Sequence, residues 1–361
     1  MQIPYLTKNE IENKRVLLRT DYNVSLNLHH HISNTERIQQ SLPTIKYLLK
    51  GNNRIRIISH LGRPEGKDDT LSLKIVVGTL EQLLPDNEII FAKDFFSEQT
   101  TIQLNNQTPS QIVLFENVRF EKGEIENDES FSKMLSSLGQ VFVNNAFACS
   151  HRNHASIVSL PKFLLSFIGL QFEKEIEMLR KITINPNRPF VAIIGGSKTD
   201  KINLLEKLSL LCDDMLIGGK FIEFLNNNPE EKNSLEKNTN LVMSVDFKYH
   251  KKYIADIGEK TILLFRKYIE KAKTIFWNGP MGIVENDKFQ QGTREVLNLI
   301  SSNKAAYSVV GGGDTITAIA KDSHIHNISY VSTSGGALIE YIETGTLPGI
   351  KAISASFNYN I

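Results

Sequence analysis

Short runs of β-branched and aromatic residues alternate with amphipathic stretches along the whole chain, and this alternation limits the fold more than any other feature. The strand-like runs begin with RVLLRT (15–20), RIRIIS (54–59), EIIFA (88–92), IVLFEN (112–117) and VFVNNAF (141–147). They continue with FVAIIGG (190–196), MLIGG (215–219), TIFWNG (274–279), YSVVGG (307–312) and ISYVST (328–333). Between them lie stretches of helical period such as RIQQSLPTIKYLLK (37–50), LSLKIVVGTLEQLL (71–84) and KINLLEKLSLL (201–211). The pattern predicts an α/β fold with mainly parallel sheets covered by helices on both faces, giving three layers. At 361 residues the chain exceeds the size at which one core keeps growing, so two domains are expected.

The division is expected at LQFEKEIEMLRKI (170–182), where Leu170, Ile176, Leu179 and Ile182 recur near the 3.6-residue period and charges fill the other face. This helix reads as a connector and hinge between residues 1–169 and 183–346, with 347–361 as a tail. Before it, Arg37, His60, Arg63, Arg119, His151 and Arg152 sit just after apolar runs; after it, such places hold GGSK (195–198), NGPMG (278–282), GGGD (311–314) and SGG (334–336). Ligands of open α/β sheets gather beyond the carboxyl ends of the strands, where these residues fall. Ser33-Asn34-Thr35-Glu36 reads as a capping box opening a helix near Arg37, and the polar NNNPEEKNSLEKNTN (226–240) as a surface loop. The three histidines 29–31 follow an apolar–polar alternation and read as a solvated hairpin tip, since no acidic or cysteine partner clusters beside them.

Several function classes are disfavoured by composition. With 41 basic against 40 acidic residues there is no global field to attract nucleic acid or a membrane surface. Cys149 and Cys212 fall in different halves, which matches a reducing compartment and implies no disulfide framework. MQIPYLTKNE lacks the pattern of a signal peptide, and the longest apolar run, LPKFLLSFIGL (160–170), is too short for a membrane span and carries Pro161 and Lys162. A cytoplasmic protein is expected.

The first half offers Arg37, Arg63, Arg119 and Arg152 with His60 and His151, donors suited to a small, oxygen-rich anion, and arginine captures carboxylate or phosphate in bidentate fashion. Asp21 and Asn23, after the first strand, are placed to take hydroxyl hydrogens. In the second half, GGSK lacks the spacing of a Walker loop and GGGD is not GxGxxG. Together the glycine clusters indicate backbone amides and helix N-termini directed at phosphates. Lys198 adds a mobile charge, and Asp314 a carboxylate for Mg2+ bridging phosphate oxygens or, alternatively, an N-cap for its helix. Asn278 and Pro280 sit in a turn suited to a nucleotide.

Taken in order, SHLGRPEG (59–66), LFENVRF (114–120), SHRNHAS (150–156), FWNGPMGIVE (276–285), GGGDT (311–315) and STSGGALIEYIETGTLPG (332–349) resemble phosphoglycerate kinase. The resemblance implies two Rossmann-like domains joined by a helix, with the C-terminal tail returning to the first domain. It also implies a monomer that binds 3-phosphoglycerate in the N-terminal domain and Mg-ATP or Mg-ADP in the C-terminal one, and closes to exclude water during transfer. Asp21, Asn23, Arg37, His60, Arg63, Arg119, His151 and Arg152 match the phosphoglycerate site, with Arg37 reaching the transferring phosphoryl group. Lys198 and Lys201 match lysines at the phosphates, and Gly312 and Gly335 the glycines whose amides face the transferring group. Asn278, Pro280 and Glu285 match the nucleotide wall and ribose contact. Gly195, Gly196, Gly219, Gly311 and Thr315 complete the nucleotide set, and Asp314 is the Mg2+-side carboxylate.

The chain departs from the family at a few places. Lys198 and Lys201 are three apart where the family has four, and one residue deleted at a helix start rotates the remainder of the helix by about 100°. IGGKFIEF (217–224) stands where the family has a Gly-Gly-Gly-Met-Ala pattern and places Lys220 where close approach to adenine is expected, and the stretch to ADIGEKT (255–261) is shortened. Asn145 replaces an aspartate and Ser334 a glycine. Because most departures lie in the nucleotide half, a second reading stands beside the active kinase: a weak or inactive relative that binds phosphoglycerate or a partner in a regulatory or scaffolding role. A third is phosphorylation of another carboxylate.

Overall fold

The computed structural model describes residues 3–196 and 202–359. The chain divides into two compact units: one runs to Ile176 and includes the segment from Thr346 onward, the other is Glu177–Gly345. The division falls inside the helix Leu170–Thr183.

In the first unit, β1 (Arg15–Arg19), β2 (Arg54–Ile58), β3 (Glu88–Ala92), β4 (Gln111–Phe115), β5 (Val141–Asn144) and β6 (Leu165–Ile168) form a sheet of order β3-β4-β2-β1-β5-β6. Every pairing in it is parallel. Successive side chains point to opposite faces. Val16, Leu18, Ile55, Ile57, Ile112 and Leu114 therefore enter one core, and Leu17, Ile58, Val113, Phe115 and Phe142 another. A sheet buried on both faces needs near-continuous apolar strands, which explains why these runs stand out in the sequence.

The second unit holds β7 (Phe190–Ile194), β8 (Asp214–Ile217) and β9 (Asn240–Met243), then an antiparallel ribbon of β10 (Phe247–His250) and β11 (Tyr253–Ile257), then β12 (Thr274–Asn278), β13 (Tyr307–Gly311) and β14 (Tyr330–Ser332). Its parallel sheet runs β14-β13-β12-β7-β8-β9. The strand order reverses between β7 and β12, which opens a crevice at their carboxyl ends.

Several local expectations are corrected. The polar stretch 226–240 contains the helix Pro229–Glu236, started by a proline in its first turn and anchored by the fully buried Leu235. One apolar anchor in two turns shows no period. Strand β6 (LSFI) is not set off from the apolar run 160–170 that contains it, and β9 (NLVM) and the ribbon are short segments among polar residues. The stretch 37–50 splits into Glu36–Gln39 and Leu42–Lys50, with Pro43 in the first turn of the second helix, where its missing N–H costs least. No capping box forms: the Ser33 hydroxyl donates to the Ser25 carbonyl (2.9 Å), and the Asn34 side chain accepts from the Glu36 amide (2.7 Å). Residues 29–31 are an exposed turn, in which the Asn27 side chain accepts from the His29 and His31 amides at 2.9 and 3.0 Å.

The helix Leu170–Thr183 buries Phe172, Ile176, Leu179 and Ile182, with Phe172 rather than Leu170 beginning the stripe. Its first amides are satisfied from a distance: Leu170 N–H donates to Thr44 Oγ1 (3.0 Å) and Gln171 N–H to Asn145 Oδ1 (3.1 Å). Thr44 Oγ1 in turn donates to Asn145 Oδ1 at 2.8 Å, so Asn145 serves as an acceptor at this helix start. No helix of the described residues is long and apolar enough to cross a membrane.

Candidate active site

In the first unit, the loops after β1, β2, β4 and β5 carry Asp21 and Asn23, His60 and Arg63, Arg119, and His151 and Arg152. Arg37 comes from the helix Glu36–Gln39 and donates through Nη1 to Asp21 Oδ2. His60, 2% exposed, lies under the positive field of Arg19, Arg119, Arg37 and Arg152. Burial first, then those charges, hold its pKa well below the ordinary value. Burial with Arg152 lowers His151 to about 4. Both imidazoles are neutral at physiological pH, so the arginines carry the positive charge offered to an anion.

Arg119 is 5% exposed, with burial pulling its pKa down to about 10, so it stays charged. Its Nη1 donates to the Gly62 carbonyl (2.5 Å), and the Gly62 amide donates to Asn23 Oδ1 (2.8 Å). Asn23 thus holds the loop that bears His60 and Arg63 and keeps its amide N–H groups for a ligand. Arg63 is exposed. Asp21, His60 and Cys149 bring one potential metal-ligating atom each within 4.8 Å of one another. The surrounding arginines oppose a cation there, and burial, with Asp21, pushes the Cys149 thiol up to about 12.

Three residues of this cluster escape sequence reasoning. Arg19 ends β1 fully buried; its Nε donates to Ser156 Oγ at 2.9 Å, and Nη2 lies 3.4 Å from His60 Nδ1. Ser156 Oγ donates to Glu124 Oε1 (2.7 Å) and the Ser156 amide to Oε2 (2.8 Å). A buried carboxylate thus balances a buried guanidinium through one hydroxyl. The only hint is a charge at the end of an apolar strand; Glu124, inside EKGEIEND, reads as solvated surface.

These histidines should make the fold acid-labile. His154, only 12% exposed at its side chain, is lowered to about 3 by burial and by Arg119. Neutral histidine is favoured in the folded state, so the contribution is complete above the unfolded pKa of about 6.5 and is lost as pH falls through the window from 6.5 toward 4. Denaturation midpoints should fall steeply over that window. Each histidine contributes a slope of at most about 1.4 kcal/mol per pH unit, less for the partly exposed His151. His154→Asn should flatten the profile by up to one proton; an unchanged slope would show that His154 does not titrate with unfolding.

In the second unit, the crevice at the reversal of strand order is closed by backbone. Gly195 N–H donates to the Asn278 carbonyl (3.0 Å) and Gly196 N–H to the Pro280 carbonyl (2.7 Å). Gly279 has φ +96°, and a Cβ there would lie 2.0 Å from the Gly195 oxygen. Gly279→Ala should therefore cost at least about 2 kcal/mol. A denaturant midpoint within error of the parent would refute that close approach.

A cavity of about 240 Å3 lies here, lined in part by Gly196, Gly219, Lys220, Pro280, Glu285 and Asp314. Asn278, at the end of β12, is buried. Gly311 ends β13, and Gly312, φ +99°, is the N-cap of the helix Gly313–Ile319. Gly335, φ +48°, has the same place before the helix Gly336–Thr344. Asp314 makes no capping bond; its carboxylate is exposed, so its oxygens suit a hard cation shared with phosphates. Thr315 is fully buried, and its hydroxyl accepts from the Gly279 amide (2.8 Å), so it holds the turn rather than a ligand. Lys198 and Lys201 lie outside the described residues.

Residues 6–229 and 226–345 match the family model described as phosphoglycerate kinase. A phosphoglycerate kinase from Finegoldia magna is 40% identical over 95% of this chain and 97% of its own length. One from Coprothermobacter proteolyticus is 38% identical, covering 98% and 99%. Among solved structures, the phosphoglycerate kinase from Coxiella burnetii superposes with a TM-score of 0.86 at 33% identity, covering 98% of this chain and 99% of that one. That from Pyrococcus horikoshii OT3 gives 0.82 at 28% identity, covering 99% and 100%.

Proposed function

The chain belongs to the phosphoglycerate kinase family, and from that premise we propose how its residues divide the reaction. The enzyme transfers a phosphoryl group reversibly between 1,3-bisphosphoglycerate and ADP, giving 3-phosphoglycerate and ATP in glycolysis. Four arginines gathered around a buried, neutral His60 carry the assignment of the acceptor side. Arg19 is committed to Ser156, His60 and its own loop, which leaves three of the four, Arg37, Arg119 and Arg152, joined by the exposed Arg63, to hold the carboxylate and phosphate of 3-phosphoglycerate. His60, His151, Asp21 and Asn23 orient its remaining oxygens.

The cavity at Gly196, Gly219, Pro280 and Glu285 takes base and ribose; Gly195, bonded to the Asn278 carbonyl, and Gly311, at the end of β13, complete the nucleotide side of the unit. The amides at Gly312 and Gly335, with Lys198 and Lys201, meet the phosphates. Asp314 would hold Mg2+, which when bound would supply positive charge to offset the negative charge of the transferring group. Because that charge is spread over three oxygens, positioned donors suffice and no side chain becomes covalently bonded. We further propose a cytoplasmic monomer acting on small molecules, in keeping with its balanced 41 basic and 40 acidic residues.

The test is transfer from Mg-ATP to 3-phosphoglycerate, followed through an NADH-consuming coupling dehydrogenase, with each substrate and the coupling enzyme omitted in turn. Turnover that needs every component is expected. A folded protein that binds 3-phosphoglycerate without turnover would refute the activity.

A further inference from the structure

Lys220 is the residue of the nucleotide cavity that the reaction leaves without a task. It is exposed and precedes the helix Phe221–Asn227, and it lines the cavity together with the apolar Ile254, Ala255, Ile283 and Val284. Its Nζ lies 6.0 Å from the centroid of Tyr253, which begins β11 beside Ile254 and Ala255. The same ring also has Lys252 Nζ at 5.7 Å, and its place next to Ile254 and Ala255 puts the Lys220 ammonium beside the cavity wall. Among the described residues no hydrogen-bond or ion-pair partner engages it, although Glu285 and Asp314 line the same cavity. Pockets for drug-sized ligands occupy roughly 300–1,000 Å3. At about 240 Å3 this cavity fits a base-sized group, and Gly312 and Gly335, assigned to the phosphates, do not line it.

We propose that Lys220 reads the edge of the nucleobase in this cavity and tilts the enzyme from adenine toward 6-oxo purine nucleotides, those of guanosine and inosine. An ammonium has three donors and no acceptor. Guanine and hypoxanthine present O6 and N7 as adjacent acceptors, so one lysine head satisfies both. Adenine places an N6 amino donor beside N7, and a donor-only head meets it unfavourably. Among the described residues, the charged side chains lining the cavity are Lys220, Glu285 and Asp314, and with Glu285 assigned to the ribose and Asp314 to Mg2+, Lys220 is the charged side chain left to read the edge of the base. The inference rests on the assignment of the cavity to the nucleotide.

The experiment measures kcat/KM for Mg-ATP, Mg-GTP and Mg-ITP with 3-phosphoglycerate in the parent, Lys220→Met and Lys220→Arg. Calorimetric Kd values for Mg-ADP, Mg-GDP and Mg-IDP are taken on the same proteins without acceptor. The parent should use GTP and ITP at least as well as ATP. Lys220→Met should lower the GTP/ATP and ITP/ATP ratios at least about tenfold, the scale of one charge-assisted hydrogen bond, and Lys220→Arg should retain them. Ratios that stay within twofold in Lys220→Met overturn the proposal. Equal losses for all three nucleotides overturn it too, since they place Lys220 at the phosphates or in the scaffold. If the parent binds diphosphates but does not turn over, the kinase reading fails, and the Kd ratios alone decide the role of Lys220. Failure to bind any nucleotide overturns both.

Discussion

Arg37→Ala should lower kcat for phosphoryl transfer at least about 10²-fold, the scale of losing one preorganised charge from a transition state. Arg37 donates to Asp21 through Nη1, and its side chain stays 27% exposed, so the guanidinium is fixed in direction yet open to a ligand. It is also one of the charges that keep His60 neutral. Removal therefore takes a donor from the transferring group and frees Asp21, which would repel the incoming anion. Lysine restores the charge without the fork, so Arg37→Lys should recover only part of the loss. Steady-state kinetics on protein shown to be folded decides the matter. A variant that turns over within threefold of the parent would remove Arg37 from the catalytic set.

Glu124→Ala should be among the most destabilising single substitutions in the first unit, costing about 3–5 kcal/mol. Glu124 is fully buried and accepts both bonds from Ser156, which passes the contact on to Arg19. Burial raises its pKa, and the Arg19 charge opposes that rise. Without the carboxylate, Arg19 remains fully buried with no compensating charge and the Ser156 amide loses its acceptor. Thermal unfolding should move down by on the order of 10 °C. Glu124→Gln keeps the shape and should cost less. A fall below about 3 °C for the alanine variant would mean that water or another group satisfies Arg19, and that the buried pair contributes little.

Much of the parallel-sheet architecture can be read from the chain because both faces of each sheet are buried, which forces near-continuous apolar strands such as RVLLR and FVAII. The places of His60, Arg119 and Arg152 are legible for a related reason: strand ends are marked by where apolar runs stop, whereas Arg37 reaches the site from the helix Glu36–Gln39. Strand β6 is not set off from the apolar run 160–170 around it, β9 is four residues following a polar stretch, and the helix Pro229–Glu236 has one buried apolar residue, so local pattern does not reveal them. Which charges pair is a matter of folding alone. Glu124 and Ser156 are 32 positions apart, and Arg19 and Ser156 137 apart. No local period encodes such meetings, because they are set by strand order. The same holds for Thr315, whose sequence neighbourhood promises a ligand contact and whose hydroxyl instead holds the turn at Gly279. The kind of fold and the chemical character of each half follow from local pattern and residue type, and the amino-acid order suffices for them. The partners, the protonation states of His60 and His151, and the position of Lys220 beside the cavity depend on burial and on long-range approach, which exist only once the chain is folded.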